Sequence, residues 1–266
     1  YIAFVFLVGP QPRLKGGGLA GLIPGVPLSV PLAVMGAVLA GMAVGAATER
    51  VLIRPLRNAP ELSLVNVSIG LLLVINSLMA QWWGTGPRVF PALFPAGAGQ
   101  NFDIFGARLR YSTIGVWALL FVVLVCLIFL LKRTRIGLAF RAVSINQTNS
   151  ELVGIPVGRI LMYGWALAAG FGALAACISA NSVLLEPNMM LRVLVYAFAA
   201  ATLGGLDSPK GALVGGVIVG MSQTLIPAYV PFIGFELSVL PVLIAMTVVL
   251  LVRPAGLYGT KRIERV

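Results

Sequence analysis

The sequence predicts an all-α membrane protein, a bundle of helices that cross the bilayer several times. Hydrophobic residues make up 59% of the 266 residues and charged residues only 10%, and the mean hydropathy is +1.00. Soluble domains carry about 25% charged residues, so a soluble fold is excluded. The apolar residues are also gathered into runs of about 20, the length that an α-helix needs to span the hydrocarbon core.

Apolar runs predict the spans and give about seven crossings, the first of them partial. Tyr1–Val8 has the composition of the last two turns of a helix, and with no initiating Met this predicts an N-terminally truncated chain. Val193–Leu206 is short for a span. It either crosses by starting near Asn188, with Arg192 at the interface, or forms a broken or re-entrant helix. The other runs are Val26–Ala47, Leu62–Trp83, Thr113–Leu131, Ile160–Ala180, Ala212–Val230 and Leu237–Val252.

Loop charges predict the orientation. In the favoured orientation 13 of the 19 Lys and Arg residues face the cytoplasm, which agrees with the positive-inside rule. A crossing by Val193–Leu206 keeps the basic C-terminus on that side as well. The cytoplasmic charges are then Arg50, Arg54, Arg57, those of residues 132–159, Lys210 and those of the tail from Arg253.

Small residues at four-residue spacing predict close contacts between helices, because glycine lets two helix backbones approach each other. Three pairs have this spacing: Gly41 with Gly45, Gly211 with Gly215, and Gly216 with Gly220. The alternative is that these glycines only reflect the high glycine content of membrane helices.

The predicted spans contain no Asp, Glu, Lys or Arg, which disfavours a carrier driven by a proton or sodium gradient. The chain also has no histidine and no P-loop. No catalytic residue, metal site or cofactor is therefore predicted, and the chain is not expected to bind ATP through a P-loop. Gly16–Gly21 matches a dinucleotide-binding fingerprint, but no strand precedes it, so it is interpreted as a loop. Neutral polar residues of the spans are candidates for a translocation path, and we single out Asn76, Gln81, Thr202 and Gln223.

Residues 132–159, here called the basic loop, form the one long polar stretch of the chain. Five Lys and Arg side chains exclude it from the bilayer core, and its size predicts contact with a soluble partner on the cytoplasmic side. Thr148 and Glu151 have the spacing of a capping box, and Gly154 followed by Pro156 predicts the end of a short helix. The sequence leaves two possible starts for this short helix, one at Thr148 and one near Arg141. The alternative role is a solvated loop that anchors to lipid head groups.

The amino-acid sequences of the basic loop and of several later segments resemble those of a known family. The segments are Thr134–Gly137, Phe140–Ala142, Leu152–Ile155, Gly170–Ala176, Leu203–Ala212, Gly215-Gly216 and Arg253–Gly259. In this order they resemble the permeases of ABC transporters for branched-chain amino acids, and within that family the LivH branch. The resemblance covers most of residues 26–266.

The resemblance implies one transmembrane permease domain over residues 1–266, with the basic loop as its coupling loop. It implies a bacterial inner-membrane protein without its own ATPase site. The implied protein partners are a homologous second permease, cytoplasmic ATPase subunits and a periplasmic or extracellular substrate-binding protein. Membrane lipid is an expected contact, and nucleic acid is not. The substrate would be a branched-chain or other hydrophobic amino acid. Urea or a short amide is the alternative substrate, and a secondary carrier is the alternative class. The residues expected to couple to the ATPase are Arg141, Glu151, Leu152, Gly154 and Ile155.

Overall fold

A computed structural model describes residues 3, 30–57, 59–90, 93–94, 101–104, 107–230, 237–253 and 255–259. These residues form nine α-helices and one short β-hairpin. In chain order the elements are α1 (Val30–Thr48), α2 (Glu61–Trp83), β1 (Asn101–Ile104), β2 (Ala107–Arg110), α3 (Tyr111–Arg133), α4 (Arg135–Ile145), α5 (Gln147–Leu152), α6 (Val157–Val183), α7 (Met189–Gly204), α8 (Pro209–Tyr229) and α9 (Val239–Val252).

Within the described residues, five helices are long and apolar enough to cross a membrane, so the prediction of a polytopic helical membrane protein is confirmed. They are Val30–Leu56, Leu62–Trp83, Tyr111–Arg133, Val157–Ala180 and Pro209–Tyr229. Two further apolar helices are shorter. With 16 residues in α7 and 14 in α9, their lengths are about 24 and 21 Å at 1.5 Å per residue. Helix α7 begins at Met189, one residue after the predicted start, and carries an exposed Arg192. Whether it crosses fully stays a prediction.

The first span extends further than the sequence predicts. It was expected to end at Ala47, yet helical structure continues from α1 through a π-helical turn, Glu49–Ile53, and a 3-10 turn, Arg54–Leu56. Glu49 is fully buried at the start of this extension. Because two arginines neutralise its carboxylate, a charged residue can occupy a packed helix end.

The loop between α2 and α3 contains a β-hairpin that the sequence analysis did not predict. Strands β1 and β2 pair in an antiparallel manner, with Asn101 opposite Arg110 and Ile104 opposite Ala107. Its two strands have only four residues each, too short to produce a clear alternating pattern in the sequence.

Helices α1 and α6 pack closely where α1 carries Gly41 and Gly45. A Cβ atom on Gly41 would lie 2.9 Å from the Cβ of Ala173, and one on Gly45 would lie 2.5 Å from the carbonyl oxygen of Trp165. Real Cβ atoms do not approach so closely, so only glycine fits at this crossing. The close contact predicted for this pair is therefore confirmed.

The second predicted pair of glycines, on α8, also lies at a helix contact. A Cβ on Gly211 would overlap the carbonyl oxygen of Gly204, and one on Gly215 would overlap that of Ala200. The third pair differs, since a Cβ atom added to Gly216 or Gly220 would meet no other atom of the described chain within 4 Å. The close contact predicted for Gly216 and Gly220 is therefore wrong within this part of the chain.

The tail after α9 is hydrogen-bonded to the end of α7. The amides of Leu257 and Tyr258 donate to the carbonyl oxygens of Leu203 and Gly204, each at 2.9 Å. Gly256 has a positive φ of 78°, and a Cβ there would lie 2.7 Å from the carbonyl oxygen of Thr202. The tail sequence thus closes a backbone junction that requires glycine.

Contacts divide the chain into two compact units, Tyr1–Met189 and Met190–Val266. The first contains α1 to α6, and the second contains nearly all of α7 together with α8 and α9. A single permease domain over residues 1–266 stays a prediction. The predictions for Tyr1–Val8, apart from Ala3, and for Gly16–Gly21 lie outside the described residues.

Candidate coupling surface and translocation path

The basic loop begins with a capped helix, α4. Thr134 is its N-cap, and the Thr134 hydroxyl accepts a hydrogen bond from the amide of Gly137 at 3.1 Å. The same hydroxyl donates to the carbonyl oxygen of Leu130 at 2.5 Å. A single side chain therefore joins the end of α3 to the start of α4, and the chain changes direction at that point.

A second, shorter helix follows after a break at Asn146. Asn146 has extended backbone angles, φ −156° and ψ 113°, and its side-chain oxygen accepts from the amide of Asn149 at 3.0 Å. Asn146 is therefore the N-cap of α5, and the predicted capping box of Thr148 with Glu151 is wrong. Asparagine is one of the best N-cap residues. The N-cap signal of Asn146 was present in the sequence, but Thr148 was a second candidate for the same N-cap.

Helix α5 ends as the sequence predicts. Gly154 has a positive φ of 84°. Its amide donates to the carbonyl oxygen of Glu151 at 2.9 Å, and the amide of Ile155 donates to that of Ser150 at 3.0 Å. These two bonds make a Schellman motif with Gly154 at the C′ position. No atom of the described residues lies within 4 Å of where a Cβ would stand, so the backbone angle alone demands glycine here.

The inner face of the basic loop packs on the start of α6. Val143 of α4 forms a buried cluster with Val157 and Ile160, and Phe140 and Ile155 pack against it. Phe140 and Val143 share one face of α4 because they are three residues apart. The cluster fixes the loop to a membrane helix, so α4 and the start of α6 should move together.

The outer face of the same loop exposes large apolar side chains. Leu138 and Ile145, seven residues apart on one face of α4, are 61% and 85% exposed. Leu152 and Val153 at the end of α5 are both 81% exposed. The loop carries too many charges to lie in the bilayer core, and a polar segment with several exposed apolar residues is typical of a protein interface.

The structure places the five predicted coupling residues in two environments. Arg141, Glu151, Leu152 and Gly154 are exposed, with Arg141 on the same face of α4 as Leu138. Ile155 is half-buried against the inner cluster. The first four can therefore contact a partner directly, whereas Ile155 holds the loop on α6. Their role in coupling stays a prediction.

Two of the predicted path residues lie on α2. Asn76 is half-buried, and its side-chain amide donates to the side-chain oxygen of Asn188 at 2.5 Å. Asn188 immediately precedes α7 and was not singled out from the sequence. Gln81, near the end of α2, is exposed. The structure therefore joins Asn76 to a polar partner that is distant in sequence, as no local pattern could indicate.

The other two path residues belong to the second compact unit. Thr202 is buried, and its hydroxyl donates within α7 to the carbonyl oxygens of Phe198 and Ala199, at 2.9 and 3.0 Å. Gln223 is half-buried on α8. The internal hydrogen bonds of Thr202 satisfy its hydroxyl. A place for either residue on the path stays a prediction.

Sequence reasoning missed the buried ion pair at the end of the first span. Oε1 of Glu49 accepts from Nη2 of Arg57 at 2.6 Å, and its Oε2 lies 3.6 Å from Nη2 of Arg54. A Cβ on Gly158, in the first turn of α6, would lie 3.0 Å from the same Arg54 nitrogen. In the sequence these arginines indicate only topology, and no local pattern marks Glu49 as part of a site.

The sequence profile described as branched-chain amino acid transport system / permease component matches residues 7–252. The chain belongs to this family. Its members are permease components, so this permease is a multi-pass membrane transport protein, in agreement with the five long apolar helices among the residues that the structure describes.

Curated relatives agree with the family. This permease is 28% identical to the high-affinity branched-chain amino acid permease LivH of Salmonella typhimurium over 232 residues, covering 84% of this chain and 72% of that protein. It is 27% identical to BraD of Pseudomonas aeruginosa over 230 residues, with the same two coverages. It is also 31% identical to the xylose/arabinose import permease XylH of Sulfolobus acidocaldarius over 153 residues, or 56% of this chain and 40% of that one. No solved structure matches the chain.

Proposed function

We propose that this permease is the membrane subunit of an ATP-binding-cassette importer and forms the translocation path for branched-chain and other hydrophobic amino acids. ATP hydrolysis in partner subunits drives transport. Family membership and the two relatives LivH and BraD support the substrate class. These 266 residues contain no P-loop, and in this proposal the energy enters through a contact with another protein.

The observation that carries the proposal is the two-faced basic loop. Its inner face is fixed to α6 through Val143, Val157 and Ile160. Its outer face presents Leu138, Ile145, Leu152 and Val153. An amphipathic helix seated in an apolar groove is a common mode of recognition, and here the groove belongs to a cytoplasmic ATPase subunit.

The packing provides a mechanical route from this contact into the membrane. A force on α4 and α5 acts on the first turns of α6 through the inner cluster. Helix α6 then carries α1 with it, because the two helices touch backbone to backbone at Gly41 and Gly45. At the loop end of the same pair, Gly158 of α6 lies against Arg54. ATP-driven movement of the loop therefore reorients the two helices as one rigid pair.

The remaining partners follow from the proposal. A homologous second permease completes the path, and a periplasmic or extracellular binding protein delivers the substrate. The bacterial inner membrane is the location, with the basic loop and the C-terminus in the cytoplasm. The excess of Lys and Arg on that side supports this orientation.

The test replaces Leu152 and Val153 together with aspartate in the complete transporter. Aspartate at both positions removes the apolar anchors without touching the membrane helices. We expect normal membrane abundance, at least a tenfold loss of leucine uptake, and loss of the ATPase subunits on co-purification. The control is Val89→Asp, which changes a residue that is 77% exposed outside the basic loop. It should leave ATPase association unchanged.

Retention of both uptake and ATPase association by the double variant would refute the docking role and favour a lipid-anchored loop. Substrate class is tested separately by competition against labelled leucine. Isoleucine and valine should compete. Competition by xylose, arabinose or fructose would instead favour a sugar permease, since XylH of Sulfolobus acidocaldarius and the fructose permease FruF of Bifidobacterium longum are also relatives. Competition by urea or acetamide would favour the short-amide alternative.

A further inference from the structure

The first compact unit contains a half-open cavity of about 160 Å³ beside the crossing of α1 and α6. Small side chains form its walls on the two helices: Ala37, Gly41, Ala173, Ala176, Cys177 and Ala180. Gly41 and Ala173 belong to the close contact itself. Beyond that contact, toward the start of α1 and the end of α6, the alanines leave space that larger residues would fill. The cavity therefore exists because small residues occupy these positions on α1 and α6.

Larger apolar side chains from other parts of the unit line the rest of the cavity. They are Met79 of α2, Phe90, Leu185 and Met189. Leu185 is held by a pair of backbone hydrogen bonds with Arg88, two residues before Phe90, with N to O distances of 3.0 and 2.8 Å. Methionine adapts its shape to what it contacts, so Met79 and Met189 can adjust to different aliphatic groups.

A polar pair lies beside this apolar lining. Asn76 stands three residues before Met79, on the same face of α2, and Asn188 directly precedes Met189. The two side-chain amides share one hydrogen bond of 2.5 Å. Each amide has two N–H donors and an oxygen with two lone pairs, so one shared bond leaves capacity for further partners. Neutral amides can therefore meet both an ammonium group and a carboxylate.

We infer that this cavity is the side-chain pocket for the transported amino acid, with Asn76 and Asn188 at the position of its charged backbone groups. The inference rests on the proposed function and adds the place and the size limit of recognition. An apolar cavity of about 150 Å³ accepts a six-carbon ring, so the branched four-carbon side chains of leucine and isoleucine fit. Polar sugars would leave their hydroxyl groups unpaired against this lining.

Ala176→Leu tests the size limit. Ala176 lines the cavity and is half-buried, so three added carbons occupy the space that leucine needs. We expect leucine and isoleucine uptake to fall at least tenfold, while alanine uptake changes less than twofold. Ala175→Leu is the matched control. It makes the same change at the neighbouring position on α6, which is exposed and outside the cavity lining, and should leave all uptake unchanged.

Cys177 gives a second measurement that leaves the cavity intact. Its thiol is buried and lines the cavity. Cys126→Ala removes the other cysteine, and the rate of alkylation of Cys177 by N-ethylmaleimide is then followed in the purified complex. Leucine at millimolar concentration should slow alkylation at least threefold, and xylose should not. The alkylation experiment tests the pocket even if the Ala176→Leu variant fails to reach the membrane.

The outcomes separate the two levels of inference. If the wild-type complex does not transport leucine, the proposed function fails. If it does, and Ala176→Leu lowers uptake of small and large amino acids equally or not at all, the side-chain pocket is refuted. Equal alkylation rates with and without leucine, or a thiol that never reacts, also refute it, because the cavity is then closed to ligands of this size.

Discussion

Removal of the carboxylate at Glu49 should destabilise this permease more than removal of any exposed carboxylate. Glu49 is fully buried and accepts from Arg57 at 2.6 Å, with Arg54 at 3.6 Å. In Glu49→Ala the two guanidinium groups remain beside each other and beside the start of α6 without their counter-charge. A buried charge without its partner costs far more free energy than a broken surface ion pair.

The solvent exposure of the two arginines determines how much stability Glu49→Ala should lose. Loss of one partner from a fully buried pair costs about 3–5 kcal/mol, and loss of an exposed pair costs about 0–1 kcal/mol. The side chains of Arg54 and Arg57 are 41% and 27% exposed, so both regain part of their hydration. We therefore expect a loss of about 2 kcal/mol, between these limits. For a chain of this size the unfolding midpoint should fall by about 4–8 °C.

The assay is thermal unfolding of the purified permease in detergent. Glu186→Ala, at an exposed position, is the control and should lower the midpoint by less than about 2 °C. Glu49→Ala combined with Arg57→Ala should recover part of the loss, because one unpaired charge is removed with its partner. A Glu49→Ala midpoint within about 1 °C of wild type, or an equal decrease in the control, would contradict the assignment of a buried ion pair.

Two further predictions concern glycines. Gly215→Leu should remove most of the permease from the membrane, because the added side chain overlaps a carbonyl group of α7. Gly216→Leu has open space around it in the described chain and should keep at least about 80% of wild-type abundance. Immunoblots of the membrane fraction measure the abundance of both variants. Equal abundance of the two variants would show that the helix contact is absent. Gly154→Ala should cost about 1–2 kcal/mol locally, because alanine opposes the left-handed backbone. It should weaken ATPase co-purification several-fold at normal abundance, and unchanged co-purification would be the contrary result.

The sequence determined features that depend on composition along the chain. Each long helix contains an apolar run that the sequence identified, because a helix in a bilayer must be apolar along about 20 residues wherever its neighbours lie. The end of α5 at Gly154 was also predictable, since glycine followed two residues later by proline is a local stop signal. The family, too, was evident from short segments in a fixed order.

Tertiary structure decided the features that depend on residues distant in the chain. Spacing alone could not separate Gly41 and Gly45, where a Cβ would overlap α6, from Gly216 and Gly220, where a Cβ would meet nothing within 4 Å in the described chain. The same holds for burial of Glu49 and for the bond from Asn76 to Asn188, 112 positions along the chain. Hydropathy records whether a residue favours lipid or water, and it contains no information about which helix faces which.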